Sequence, residues 1–216
     1  MRVLLVFFNS LFAPDAEPRK QPRQRRSQET VDRILDAAAR IFGTDGYQRT
    51  TTNHIAAEAE ISIGSLYQYF PNKDALLVAL ADRHLDEAST ALAGIAAGLR
   101  ATAPSLEEVC RTLVTAAVVL NSPGSIHHLL WQAPRTEALT RRFAAFEAEL
   151  AGEVAWHLER FGHDPRRAHR RAEVMVAAVA AAVHTCVPGD DLADELVSLC
   201  LGYAGSSAAI GTEGQN

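Results

Sequence analysis

From about residue 27 onward the chain is patterned as helices, with apolar positions recurring at intervals of three and four. Val31, Ile34, Leu35, Ala38, Ile41 and Phe42 form the stripe of a first amphipathic helix, expected to end at Gly43 or Gly46. Thr50, Thr51 and Thr52 supply hydroxyls that can cap a second helix of about two turns over residues 53–59, with Ile55, Ala56 and Ala59 inward. Ser62 is placed to cap a third short helix on which Ile63, Leu66 and Phe70 share one face. Gly64, Ser65, Tyr67 and Gln68 then point outward, and Tyr69 lies at the flank. Pro71 stops this helix, and Asn72 can cap a long one over residues 73–99.

The second half carries equally local signals. Ser105 and Glu108 form a capping box ahead of a helix running to about residue 120, which Asn121-Ser-Pro-Gly closes. A short segment over 125–132 precedes Pro134, and a longer helix is expected over 135–161. Asp164 followed by Pro165 marks another start, with that helix reaching about residue 186. The last helix begins at Asp190 or Asp191 and ends near Gly202, and residues 205–216 have the composition of a disordered tail. The fold class is therefore all-α, with about nine helices.

Two short helices joined by a tight turn, the second showing small and hydrogen-bonding side chains outward, describe a helix-turn-helix. Gly64 and Ser65 let the backbone approach a groove closely, while Tyr67 and Gln68 reach base edges or phosphates. Lys73 stands in the first turn of the following helix, where an acid is the better electrostatic match. A phosphate shared between Lys73 and the free backbone amides would account for it.

The formal charge of −5 argues against a protein that coats nucleic acid with its whole surface, so DNA contact has to come from a local patch. Arg19, Lys20, Arg23, Arg25 and Arg26 supply one, with no acid between Arg19 and Glu29. Residues 1–26 read as a disordered extension ending in a flexible basic arm, suited to following phosphates or entering a minor groove. The opening MRVLLVFFNSLF begins like a secretion signal but is followed by no small-x-small cleavage site, and it is too short to span a membrane. Cys110, Cys186 and Cys200, odd in number and widely spaced, suit reduced thiols in a cytoplasmic protein.

Catalytic chemistry has no motif to stand on. The chain lacks a Gly-rich phosphate loop, a nucleophile elbow and HExxH. His127 and His128 are adjacent, and the pairs Glu153/His157 and His169/Glu173 lack a third ligand. No metal, no cofactor and no enzymatic activity are expected.

Phe42-Gly43, Gly46-Tyr47, Thr51-Thr52, Ile55-Ala56, Ser62-x-Gly64-x-Leu66-Tyr67-x-Tyr69-Phe70 and Asn72-Lys73-x-x-Leu76, in this order, resemble the DNA-binding domain of TetR/AcrR-family transcriptional regulators. The resemblance covers residues 30–80. It implies a homodimeric repressor that binds a palindromic operator in double-stranded DNA, is released by a small-molecule effector, and does not associate with a membrane. It also implies a DNA-binding domain over residues 27–72 and a helical effector-binding and dimerisation domain over 73–204. Thr52 and Asn53 would touch phosphate or base edges, Ser62, Gly64, Ser65, Tyr67 and Gln68 would occupy the major groove, and Tyr69 and Lys73 would hold the backbone. The family's turn usually carries Gly where this chain has Glu60, and His where it has Tyr69.

The last two long helices would pair with their copies in a four-helix dimer interface. The effector cavity is expected among the aromatic, soft and polar residues of the central helices: His127, His128, Trp131, Gln132, Phe143, Phe146, Trp156, His157, Met175 and His184. Two other readings keep the same helices. One is a redox regulator working through the cysteines, and the other is a small-molecule-binding or catalytic protein with a vestigial helix-turn-helix.

Overall fold

The computed structural model describes residues 21–186, 189 and 191–205, and every regular element among them is an α-helix. In chain order they are α1 (Gln21–Arg49), α2 (Thr52–Glu58), α3 (Ile63–Tyr69), α4 (Lys73–Thr102), α5 (Leu106–Leu120), α6 (Ile126–Gln132), α7 (Glu137–Arg160), α8 (Pro165–Thr185) and α9 (Leu192–Gly205). None is long and apolar enough to cross a membrane.

Most boundaries come from caps written into the sequence. The hydroxyls of Thr51, Ser62, Ser105, Ser125 and Thr136 and the side-chain oxygens of Asn72 and Asp164 each accept a backbone N–H of the turn they open. Ser105 and Glu108 complete the reciprocal capping box, and Pro165 sits at the start of α8. Thr136, following Pro134, moves the start of α7 two residues beyond the expected 135.

At the N-terminus the structure corrects the expectation. Helix α1 begins at Gln21, so Arg25 and Arg26 stand on a helix and not in a flexible arm. Arg and Gln are good helix formers, and the Arg25 Nε donates to Glu29 Oε1 at 3.0 Å, one turn on. Arg19 and Lys20 lie outside the described residues. The expected stop at Gly46 is real as a break: its φ of 76° interrupts α1, and a short turn carries the chain on to Arg49.

Packing ties the N-terminal helices to the rest. One apolar cluster joins Ile34, Leu35 and Phe42 of α1, Ile55 of α2, Leu66 of α3 and Leu76, Leu77 and Leu80 of α4. It continues through Leu130 of α6 into Leu139 and Phe143 of α7, beyond the expected division at residue 73. A second cluster fills the space between α5, α7, α8 and α9 around Leu158, Ala172, Val176, Leu196 and Cys200.

Candidate nucleic-acid interface and ligand cavity

Helix α2 ends in a Schellman arrangement: Ile61 N donates to Ala56 O at 3.0 Å and Glu60 N to Ala57 O at 3.1 Å. This requires a left-handed residue, and Glu60 takes it with φ 54°, at a cost of about 1 kcal/mol relative to glycine. The turn thus keeps its geometry without the usual glycine. Ser62 then opens α3, its Oγ accepting from Ser65 N at 3.0 Å and lying 2.8 Å from Ser65 Oγ.

On α3, Leu66 is fully buried and Phe70 nearly so, whereas Tyr67 is 51% exposed and Gly64 and Gln68 face solvent. Ser65 and Tyr69 are half-buried. Ile63, expected inward with Leu66, is instead 36% exposed, because the first residue of so short a helix projects past the edge of the core. A Cβ at Gly64 would meet nothing nearer than Ser62 Oγ at 3.8 Å. Packing therefore does not demand glycine there. Tyr67 Oη lies 3.1 Å from Thr52 Oγ1, so the exposed face of α3 and the first turn of α2, where Asn53 is also exposed, form one polar surface.

Lys73, expected to hold the DNA backbone, has its ammonium engaged within the protein. Its Nζ donates to Tyr47 O at 2.7 Å and Thr50 O at 2.9 Å and sits 4.2 Å above the Tyr47 ring centroid. The break at Gly46 leaves these carbonyls without helical partners, and the lysine satisfies them. Burial and the hydrogen bond to Asp74 push the Tyr47 phenol up, so the ring stays neutral under the cation.

The predicted effector residues divide among several places. His127, Phe143, Phe146 and His184 line a cavity of about 140 Å³ between α4, α5, α7 and α8, to whose wall α6 contributes His127. Leu92, Ile95, Leu113, Val179 and Val183 make up much of its apolar wall. Trp131 braces the wall from behind, stacked on His184 at 3.6 Å between centroids, with the Arg135 guanidinium 3.8 Å over its other contact surface.

The other candidates lie elsewhere. Met175 and His157 face a smaller space of about 40 Å³ between α5, α7, α8 and α9. Trp156 lies under the guanidiniums of Arg100 and Arg160 at 4.6 and 5.0 Å. His128, in hydrogen-bond contact with Gln132 at 2.7 Å, lines with it a cleft between α1 and α6. Helical periodicity assigns a residue to a face, but which neighbouring helix that face meets depends on the tertiary packing.

Sequence reasoning missed Asn121, Glu147 and His84. Asn121 caps the end of α5, its Nδ2 donating to Ala117 O at 2.8 Å, and its Oδ1 is buried beside the cavity without a partner. Glu147 lies one turn from Phe143 on the same stripe, a signal that was available, and burial raises its carboxyl despite the influence of Arg135. His84 of α4 has its Nε2 3.2 Å from His127 Nδ1. Burial, reinforced by the neighbouring His84 and His184, holds His127 down at about 3; burial, then His128 and Arg135, holds His184 at about 4. These imidazoles are neutral near pH 7.

Two of the three cysteines are buried and held as thiols. Burial, with Cys200 close by, pushes the Cys110 thiol up to about 12, and burial raises Cys200 as well. Both remain protonated and weakly nucleophilic. Cys186 is exposed.

Residues 34–80 match the family of bacterial regulatory proteins called the tetR family. The chain is 33% identical over 131 residues to the HTH-type transcriptional repressor KstR of Mycolicibacterium smegmatis, an alignment covering 59% of this chain and 56% of that protein. The chain thus spans little more than half the length of that relative. The fatty acid degradation regulator FadR of Bacillus halodurans superposes with a TM-score of 0.62 at 18% identity, covering 82% of this chain and 95% of the other. FadR of Bacillus subtilis, solved in complex with stearoyl-CoA, gives 0.58 at 17% identity, covering 79% and 97%. At these identities the two structures establish the shared fold.

Proposed function

We propose that the chain, whose residues 34–80 match the tetR family of bacterial regulatory proteins, is a ligand-responsive transcriptional repressor of that family that binds a palindromic DNA operator as a homodimer. The observation that carries this reading is the exposed face of α3, where Gly64, Tyr67 and Gln68 stand free of the core and Tyr67 is joined to Thr52. Glycine inside a helix costs about 0.5–1 kcal/mol relative to alanine. Nothing in the packing accounts for that cost at Gly64, whereas close approach of a DNA backbone does. Asn53, Ser62, Ser65 and Tyr69 complete the contact surface, with Arg25 and Arg26 on the first turns of α1 reaching phosphate. Two copies of α3 would enter successive major grooves about 34–36 Å apart.

Support for the dimer comes from the outer faces of the last two helices. Val174 on α8 is 43% exposed and Leu199 on α9 is 52% exposed, with Ala177, Ala181 and Gly202 exposed beside them. Small and apolar residues on a shared outward face suit a four-helix contact with a second copy.

The cavity and the DNA-reading unit are mechanically connected. Helix α6 places His127 in the cavity wall, where it meets His84 of α4, and packs Leu130 into the cluster that holds α1, α2 and α3. A ligand that favours another position of α6 and α4 would change the spacing of the two α3 helices and weaken operator binding. The relative named as a repressor and the FadR complex with stearoyl-CoA support repression relieved by a small molecule. Regulation of this kind places the protein in the cytoplasm and acts through binding, without a catalytic step. Retention of sequence-selected duplexes from a random library, sensitive to salt, is the expected behaviour. A folded protein that retains none would contradict the reading.

A further inference from the structure

The polar groups of the cavity are specific enough to define what it accepts. Asn121 is only 8% exposed, yet its Oδ1 has no partner, while its Nδ2 is already committed to Ala117 O. His184 Nδ1 is likewise buried and without a partner. An amide oxygen can only accept, and leaving it open is costly, so the group on an occupant that matches Asn121 Oδ1 is a hydrogen-bond donor.

Charge narrows the class further. No lysine or arginine of the described residues lines the cavity, and Glu147, its one acidic group, is raised by burial. His127 and His184 are neutral at physiological pH. An anion placed there would lose its hydration without gaining a cationic partner. Size sets the last limit: the cavity is about 140 Å³, and an apolar cavity of about 150 Å³ accepts one benzene ring. His127, Phe143, Phe146 and His184 line it and pack edge-on and flat against one another, an aromatic wall that suits such a ring.

We infer that the cavity binds a neutral single-ring aromatic alcohol, its hydroxyl donating to Asn121 Oδ1. This rests on the reading of the cavity as the effector site and goes beyond it by naming the chemistry.

Titration calorimetry of the full chain at pH 7 with phenol, anisole and benzoate tests it. Anisole keeps the ring but loses the donor, and benzoate replaces the neutral donor with an anion. Phenol is expected to bind at least tenfold more tightly than either. Asn121→Leu, checked for folding by thermal melting, should bring phenol to the level of anisole. Ala180→Phe, which fills the cavity, should abolish binding of all three. Anisole or benzoate binding as tightly as phenol, with that binding lost in Ala180→Phe, would overturn the inference and leave the effector cavity standing. No binding of any of the three would overturn the inference as well; release of selected operator DNA by some other small molecule, lost in Ala180→Phe, would then still uphold the effector site.

Discussion

Tyr67 Oη and Thr52 Oγ1 lie 3.1 Å apart, joining the exposed face of α3 to the first turn of α2. A surface hydrogen bond of this kind adds little to stability, since each hydroxyl can bond to water instead. Its consequence is positional: the phenol is held over the seam between the two helices. Tyr67→Phe should therefore change the unfolding free energy by less than about 0.5 kcal/mol. It should weaken selected operator DNA by about 1–3 kcal/mol, as loss of one specific contact does. Denaturant unfolding and fluorescence anisotropy separate the two effects, and a large stability loss with unchanged affinity would contradict this assignment.

Lys73 offers a sharper distinction. If it neutralised a phosphate, its removal would lower the slope of log affinity against log salt by about 1. With Nζ held on Tyr47 O and Thr50 O, Lys73→Met should leave that slope unchanged and lower the melting temperature. Salt titrations of wild type and variant decide between a clamp and a phosphate contact.

The buried imidazoles make stability dependent on pH. His127 is held at about 3 and His184 at about 4, against 6.5 when exposed. Below pH 6.5 the unfolded chain takes up protons that the folded chain refuses until those lower values are reached. The contribution is complete above pH 6.5 and is lost as the pH falls, at up to about 1.4 kcal/mol per pH unit for His127. Urea unfolding at pH 7, 6 and 5 should show that decline, and His127→Leu should make it shallower. An identical decline in the variant would contradict the assignment.

The proposed dimer contact would lie on the outer faces of α8 and α9. Val174→Arg combined with Leu199→Glu should reduce the mass seen by sedimentation from twice 23.4 kDa to 23.4 kDa while leaving the helical content unchanged. Operator binding should fall at the same time, because a single α3 reads only half of an inverted repeat. A double variant that stays dimeric would place the interface elsewhere.

What could be read from the sequence was what local chemistry decides. Ser62, the Ser105 and Glu108 pair, and Asp164 with Pro165 announce helix starts because each cap bonds within its own turn. The outward residues of α3 follow from Leu66 and Phe70 being inward, although Ile63 escapes that rule at the helix end. The engagement of Lys73 within the protein was not legible, because its partners, Tyr47 and Thr50, are 26 and 23 residues away along the chain. Trp156, Met175 and His128 have the composition of a ligand site, but they face different neighbours. Asn121 looked like a helix stop and is one. Its proposed second role depends on an oxygen left without a partner beside a cavity that distant helices line.

The central claim is that α3 reads DNA. Selection of bound duplexes from a random library, with wild type and Tyr67→Ala run side by side, tests it most directly. The expected result is an enriched inverted repeat for wild type, with half-sites one helical turn apart. Tyr67→Ala should lose that enrichment while melting as wild type does. Equal enrichment by both proteins, or none by a folded wild-type dimer, would contradict it.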